Sequence, residues 1–595
     1  MKILITRPIE ERIARRGLGA SVAYRPELAS RPDQFLPVLH EHRPEVLVAQ
    51  EVEESWVAPW REISGGKPIA IVGGNGAAAA RGWLTRYGIE LLGPPPEGGA
   101  GDLDLAALRQ AESFINHHSV RPSLAAAGLS ERPAGGPSGQ RVLLAGAGIV
   151  NLLTAYELIR EGYRVTILEG SAPPWSNPDW RLLGATRGGG NARMFCLTEA
   201  DNYNDKGSVL YSDMKSVLRR RISEGGWLAG DPDRLPPSTR RWIDLFSSVP
   251  PWLADIFTQD IYTVNRQSMN LWAEIRAGEP RLFADVGYVE GVLRIYYEEE
   301  AFAAASDLQR RVGAVRGELL SRDQVAVRHP AFAKACAHGQ IAGGMEVIGF
   351  TVNIHDFVAR FEGYLAERGV EFLWNTRIDG IARDAEGRIE GLRTAKGLER
   401  ADHYVVSPGA YGRDCLCGTR TEGKIEGVVG LWLTLPNLEP RLGNSAKLHR
   451  EGHVGEDSNI TLARDERGRP ILLLGSGYAF LGGADLDLEH PEIAALFEAL
   501  EDTARRYLPD AYAQALADGS LHRSRRACVR PFTPTGLGVL EVLGAAGGGR
   551  LVITTGHNTG GFTQAPAVAR AVAATLNGSF HPMQEIYDPE RGLWN

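Results

Sequence analysis

The stretch RVLLAGAGIVNLLTAYELIREGYRVTILEG, residues 141–170, constrains the fold more than any other part of the chain. Val142-Leu143-Leu144-Ala145 is an apolar run with strand character, followed by Gly146 and Gly148, where the backbone must turn tightly. A helix follows from Ile149 and Val150, with Ala155 and Leu158 on one face, and Gly162 ends it. Val165 and Ile167 form a second strand with Glu169 at its end, 169 − 146 = 23 positions beyond the first glycine. A βαβ unit of this shape aims a helix N-terminus at a pyrophosphate and places a carboxylate on a ribose about 20 residues later. The reading is a Rossmann-type nucleotide site bound by Gly146, Gly148, Ile149, Val150 and Glu169. Asn151 stands where such a turn usually has its third glycine. Its side chain is expected to push the helix outward or to reach for a phosphate.

The rest of the chain is read around that unit. Apolar runs KILIT, ASVAY, EVLVAQ, PIAIV and IELLG punctuate residues 1–118 and predict a small parallel-sheet, flavodoxin-like α/β domain. Residues 119–140, rich in Pro, Gly, Ser and Ala, read as a linker. Beyond it, nucleotide-binding segments are expected at 141–194, 351–422 and 526–595. An inserted α+β substrate lobe is expected at 195–350 and 423–525, where tryptophan, tyrosine and charge increase.

Composition removes several classes of function. The net charge of −8 comes without any Lys/Arg-rich run, which argues against nucleic acid and against an anionic membrane surface. No window reaches about 18 uninterrupted apolar residues, and the first residues carry no signal-peptide pattern. Five cysteines make no disulfide framework, and Cys415 and Cys417 lack a second pair to complete a metal site. A cytoplasmic protein without a metal is expected.

Three further segments narrow the nucleotide. They are ADHYVVSPGAYG at 401–412, VNIHDFVARFEGYLAERGVEFLWNTRIDGI at 352–381 and GGRLVITTGHNTGGFTQAPAVARAVAATLNG at 548–578. Together with the first unit they resemble the D-amino-acid oxidase/glycine oxidase/sarcosine oxidase superfamily of FAD enzymes, over residues of about 140–580. The resemblance implies FAD, with its pyrophosphate on the first turn and Gly409 among its contacts. It puts Gly560, Gly561, Phe562 and Thr563 at the isoalloxazine N1–C2=O edge. Free amides at a helix start stabilise the negative charge that a reduced flavin carries there. Thr563 falls where the sarcosine-oxidase branch has a lysine.

The same resemblance supplies candidates for the chemistry. In GATRGGGNARMFCLTEADNY, residues 184–203, Arg187, Gly188 and Arg193 match a loop over the flavin, and a cation there would favour charge developing during reoxidation. RPFTPTGL resembles the RPxTPDGxP of amino-acid dehydrogenases, which makes Arg530 the clamp for a substrate carboxylate, with Thr535 replacing the usual aspartate. Cys528 falls at the covalent flavin-attachment position of sarcosine oxidases. His557, just before the flavin-facing helix, is a candidate for orienting substrate. Trp272, Tyr296, Tyr297 and Trp432 lie in the lobe, mostly as core.

The implied reaction is oxidation of a C–N bond in an amine or amino acid. A hydride passes to flavin N5, the imine is hydrolysed, and oxygen reoxidises the flavin. The alternatives are a dehydrogenase using a quinone or carrier, and a flavin-binding scaffold with an idle redox site. The departures at Thr535, Thr563 and the 187–193 loop point to an unusual biosynthetic substrate. The first domain loosely resembles the substrate lobe of D-2-hydroxyacid dehydrogenases. It is read as a structural module for dimerisation (a homo-oligomer) or for covering the active-site mouth.

Overall fold

The computed structural model describes residues 2–11, 13, 17–73, 81–93, 100–131, 139–173, 176, 194–199, 204, 216–449, 457–465, 467–482 and 486–594. Strands β1 (Ile3–Ile5), β2 (Val22–Tyr24), β3 (Val46–Ala49), β4 (Ala70–Gly73) and β5 (Glu90–Leu92) form an all-parallel sheet in the order β2-β1-β3-β4-β5. All five coincide with the apolar runs, and the order is the flavodoxin-like one. Ile3, Leu4, Val46, Leu47, Ala70 and Ile71 are all buried, because helices cover both faces of a parallel sheet. Leu4, Leu47 and Ile71 meet Phe35, Leu39 and Trp60, while Ile3, Val46 and Ala70 face the main core.

Helix α1 (Ala100–Ala126) corrects the expected linker. Residues 119–126 continue the helix through Pro122, because Leu108, Ala111, Ile115, Val120 and Leu124 bury one stripe that outweighs the local breakers. Gly128 and Ser130 then touch the second domain: Arg550 donates to the Gly128 carbonyl, and the Ser130 amide to Gly578 at 2.8 Å. The C-terminal tail ties the domains from the other side. Arg591 makes two hydrogen bonds to the Glu112 carboxylate, at 2.8 and 2.9 Å, and meets Asp260 at 2.7 Å.

The second sheet holds β6 (Arg141–Ala145), β7 (Arg164–Leu168), β12 (Glu371–Leu373), β16 (His403–Val406), β22 (Val539–Gly544) and β23 (Arg550–Thr555). Its order is β12-β7-β6-β16-β23-β22, parallel except for β22. Helices α2 (Ile149–Arg160), α3 (Pro251–Gly278), α4 (Ile354–Glu367) and α5 (Gly561–Leu576) contribute to the core over this sheet. A small antiparallel sheet, β13 (Ile378–Arg383), β14 (Ile389–Thr394) and β15 (Gly397–Glu399), lies beside it.

The third sheet is the large, curled one. It orders β10 (Val315–Ser321), β11 (Gly343–Thr351), β9 (Val289–Tyr296), β18 (Ala446–His449), β19 (Asp457–Arg464), β20 (Pro470–Phe480), β17 (Glu426–Pro436) and β21 (Arg526–Phe532), with β8 (Met194–Cys196) on β11. The helix Pro491–Tyr507 covers the face that carries Val429, Leu431 and Val529. Two boundaries shift. Strand β21, expected with the third nucleotide-binding segment, pairs with β17 in the lobe. Helix α3, expected in the lobe, packs on α5 in the nucleotide-binding core, where the Ala567 amide donates to Ser268 Oγ. In both cases apolar faces, not chain order, decide the layer.

Candidate active site

Strand β6 has β7 on one side and β16 on the other, so the strand order reverses there and a crevice opens beyond their carboxyl ends. Gly146 occupies it with φ +99°, and its amide donates to the Leu168 carbonyl at 2.8 Å. A Cβ on Gly146 would lie 2.5 Å from the Ser407 carbonyl oxygen, so only glycine lets the SPGA loop close over the turn. Gly148 caps α2, and Ile149 and Val150 begin it, both buried.

The expectation for Asn151 is corrected. Its side chain neither displaces the helix nor points to a phosphate. It turns back, donating from Nδ2 to the carbonyls of Ala145 and Gly146, both at 2.8 Å. The amide thus braces the turn that a third glycine usually leaves bare. Glu169 accepts from the Ala147 amide at 2.7 Å and from both the amide and hydroxyl of Ser171 at 2.8 Å. The carboxylate is thereby fixed at the mouth of the same crevice.

The second helix end comes from α5. Gly560 caps it, and its first amides, those of Gly561, Phe562 and Thr563, lie outside its internal hydrogen-bond ladder. Trp272, buried in the core, donates from Nε1 to the carbonyls of Phe562 and Thr563 at 3.2 and 3.3 Å, which braces this turn. Asn558 stands before it at φ +50° and accepts from the Thr533 amide at 3.1 Å while donating to the Gly536 carbonyl at 2.6 Å. It stitches the glycine loop to the RPFTPTG loop. The signal for Asn558 in the sequence is the residue type itself, because asparagine tolerates the left-handed region that such a turn needs.

His557 is corrected as a catalytic candidate. Its ring is buried, with Nε2 3.1 Å from Thr554 Oγ1 and the Tyr587 ring 5.9 Å away. Gly538 lies against Nδ1, where a Cβ would come within 2.6 Å. Burial pushes its pKa down to about 4, so the ring is neutral near pH 7 and belongs to the packing behind α5.

The residues present fit FAD. The hydroxyls of Thr555, Thr559 and Thr563 and the Oδ1 of Asn151 are buried without a hydrogen-bond partner. Such orphans cluster where a polar ligand completes them. They flank both helix ends, and the Gly146 turn leaves backbone room for a diphosphate. Gly409, at φ +60° in the SPGA loop, has nothing within 4 Å of an added Cβ. Arg187, Gly188 and Arg193 lie outside the described residues.

Arg530 and Cys528 project from β21 on the face opposite the helix Pro491–Tyr507. The Arg530 guanidinium crosses Gly430, where a Cβ would collide with it, donates to the Gly477 carbonyl at 2.8 Å and lies 4.9 Å from the centre of the Tyr478 ring. Gly430 therefore clears its path, and the Gly477 carbonyl anchors its end. Cys528 is fully buried with Trp432 and Leu473, and burial raises its thiol pKa. Tyr411, from the SPGAYG loop, reaches the Val529 backbone beside Cys528 and keeps more than half its surface exposed. Its place at this face was not legible from sequence, because only the sheet brings residues 411 and 529 together.

Comparisons with known proteins agree with this arrangement. A family model described as "DAO: FAD dependent oxidoreductase" matches residues 141–575. A D-amino acid dehydrogenase of Methylobacterium sp. (strain 4-46) is 27% identical over 453 residues, covering 74% of this chain and 96% of that one. One from Chromohalobacter salexigens is 25% identical over 449 residues, with 74% and 96% covered. Among solved structures, glycine oxidase from Bacillus cereus superposes with a TM-score of 0.50 at 16% identity, covering 75% of this chain and 97% of that one. Iminodiacetate oxidase from Chelativorans sp. BNC1 gives 0.50 at 18%, with 76% and 99% covered. These superpositions establish the shared fold. No helix among the described residues is long and apolar enough to cross a membrane.

Proposed function

We propose a substrate class and a reaction from one premise: this chain belongs to the DAO family of FAD-dependent oxidoreductases. It acts on an amino acid or amine, and the reading we favour is a D-amino acid, which the names of its relatives suggest. The observation that carries the assignment is Arg530, a guanidinium laid across Gly430 on the face of the large sheet opposite the helix Pro491–Tyr507.

Gly146, Gly148, Ile149, Val150 and Glu169 hold the pyrophosphate and ribose of FAD, and Gly409, Gly560, Gly561, Phe562 and Thr563 hold its ring. Bound FAD supplies the acceptor for the hydride that leaves the substrate α-carbon. Arg530 takes the α-carboxylate by two parallel hydrogen bonds and so fixes the α-carbon. The substrate amine enters neutral, so the step needs no strong base. The imine takes up water in solution and gives a 2-oxo acid and ammonia.

Oxygen is the acceptor expected from the oxidase resemblance, with Arg193 and Arg187 as its basic residues. The relatives named dehydrogenases favour the second reading, transfer of electrons to a quinone or carrier. A cytoplasmic site of action is proposed from the five free cysteines.

The test is anaerobic addition of D- and L-amino acids to the purified flavoprotein. Bleaching of the flavin by a D-amino acid supports the reading, and oxygen uptake against dye reduction separates the two acceptors. Arg530→Met should raise the KM for carboxylate-bearing substrates by about 2–5 kcal/mol of lost binding, the range for truncating one member of a buried charged pair. Unchanged kinetics would remove Arg530 from the site.

A further inference from the structure

The contacts of the first domain with Arg550 and Gly578 lie where β23 opens and just past the end of α5. That is the end of the sheet away from the crevice. Arg591 carries a second grip on the same domain. Its guanidinium is buried between Glu112 of α1 and Asp260 of α3 and lies 5.1 Å from the centre of the Phe257 ring. Gly592 follows at φ +72°, and a Cβ there would come within 2.7 Å of that ring. Losing one member of such a buried charge group is costly, so the tail is fixed at this point.

Four residues earlier, Tyr587 reaches the start of α5. The Leu540 amide donates to the Tyr587 carbonyl at 2.7 Å, which ties the tail to β22. The ring is fully buried, and its hydroxyl donates to Gln564 Oε1 at 2.9 Å. Gln564 is the fourth residue of α5, and its amide closes the first turn on the Gly560 carbonyl at 2.9 Å. Gly538 keeps the approach open, because a Cβ there would lie 2.9 Å from the Tyr587 ring and 2.6 Å from His557 Nδ1. A phenylalanine would fill the same space, and a buried hydroxyl stabilises only through its partner. Its role is therefore the hold on Gln564. Trp272 holds the carbonyls of Phe562 and Thr563 from α3, so the turn has two anchors.

We propose that Tyr587 is a positioning residue for the flavin: through Gln564 it aims the first amides of α5 at the ring, and through Arg591 it takes its place from the first domain. The inference rests on the placement of that turn at the N1–C2=O edge given above. Reduction leaves negative charge at that edge, and donors stabilise it best when already aligned. The first domain is thus a brace for the redox site, acting from the far end of the sheet.

The experiment is the flavin midpoint potential of the FAD-loaded full-length chain, read by equilibration with a redox dye, alongside the melting temperature. Tyr587→Phe removes only the hydroxyl and should make reduction about tenfold less favourable, a fall of about 30 mV for a two-electron couple. Gln564→Leu should give a similar fall, and the double variant no more than either alone, as for two residues acting as one unit. Glu112→Gln, which breaks the first domain's grip on Arg591, should make reduction at least threefold less favourable. Should it not fold, Arg591→Lys, which keeps the charge, decides that part. An unchanged potential in both Tyr587→Phe and Gln564→Leu, whatever the melting temperature, would overturn the proposal. An unchanged potential in Glu112→Gln would overturn its extension to the first domain. Thr563→Val, which removes a buried hydroxyl from the same turn, separates this inference from the placement it rests on. A fall there with none in Tyr587→Phe defeats the inference alone, and no change in any variant defeats the placement as well.

Discussion

The carbonyl oxygen of Ser407 lies 2.5 Å from the point where a Cβ on Gly146 would stand. The two residues are 261 positions apart, yet the first turn of the nucleotide site is shaped by the end of the strand that closes it. With φ +99° at Gly146, an alanine there meets both backbone strain and a collision with main chain.

Gly146→Ala should therefore yield protein that purifies colourless, with stability lowered by about 1–3 kcal/mol, the cost of holding a side chain in that conformation. Flavin absorbance and urea denaturation report the two effects. Normal FAD retention would show that the Ser407 loop yields easily.

Asn151 gives a prediction opposite to the one its position in the fingerprint invites. Asn151→Gly restores the common motif but removes both donors to Ala145 and Gly146. It should destabilise the protein by about 1–3 kcal/mol, since the Gly146 carbonyl loses its Asn151 donor while the Ala145 carbonyl keeps only the Ser407 amide. A rise in melting temperature would mean that the third glycine is the better residue here.

The histidines set an acid limit. Burial lowers the pKa of His557 to about 4, and burial together with Arg550 does the same for His403. As pH falls from about 6.5 toward 4, the unfolded chain takes up protons that the folded chain refuses. Stability contributed by keeping these rings neutral is thus present above 6.5 and is lost on acidification, by roughly 1.4 kcal/mol per pH unit for each ring. Urea midpoints at pH 7 and pH 5 should differ less for His557→Gln than for the parent. Equal differences would place His557 in a wetter setting than this structure gives it.

The sequence resemblance matches Cys528 to a covalent flavin-attachment position, but the residue is fully buried with Trp432 and Leu473, and burial disfavours its thiolate. Trichloroacetic acid should leave a colourless pellet and a yellow supernatant. A yellow pellet that turns colourless in Cys528→Ser would establish the covalent link instead.

Much of the architecture was legible because its signals are local. Each strand of the first sheet is a short apolar run, and the β6–α2–β7 unit carries its turn, helix face and terminal acid within 30 residues. The fate of residues 119–126 was not legible, since Pro122 and the small residues around it imitate a linker. Only packing of Val120 and Leu124 against the core keeps the helix going.

The site divides along the same line. The sequence by itself determined that a nucleotide is held, since glycine turns and helix starts act through the backbone of contiguous residues. How polar side chains from distant segments are grouped was decided by tertiary structure alone. Tyr411 and Arg530 come from separate segments, and only the packing of the SPGAYG loop on β21 brings Tyr411 beside Val529 and Cys528, two residues from Arg530. The same factors turned His557 from a plausible catalyst into a packed, neutral ring, because burial depends on neighbours that no local stretch specifies.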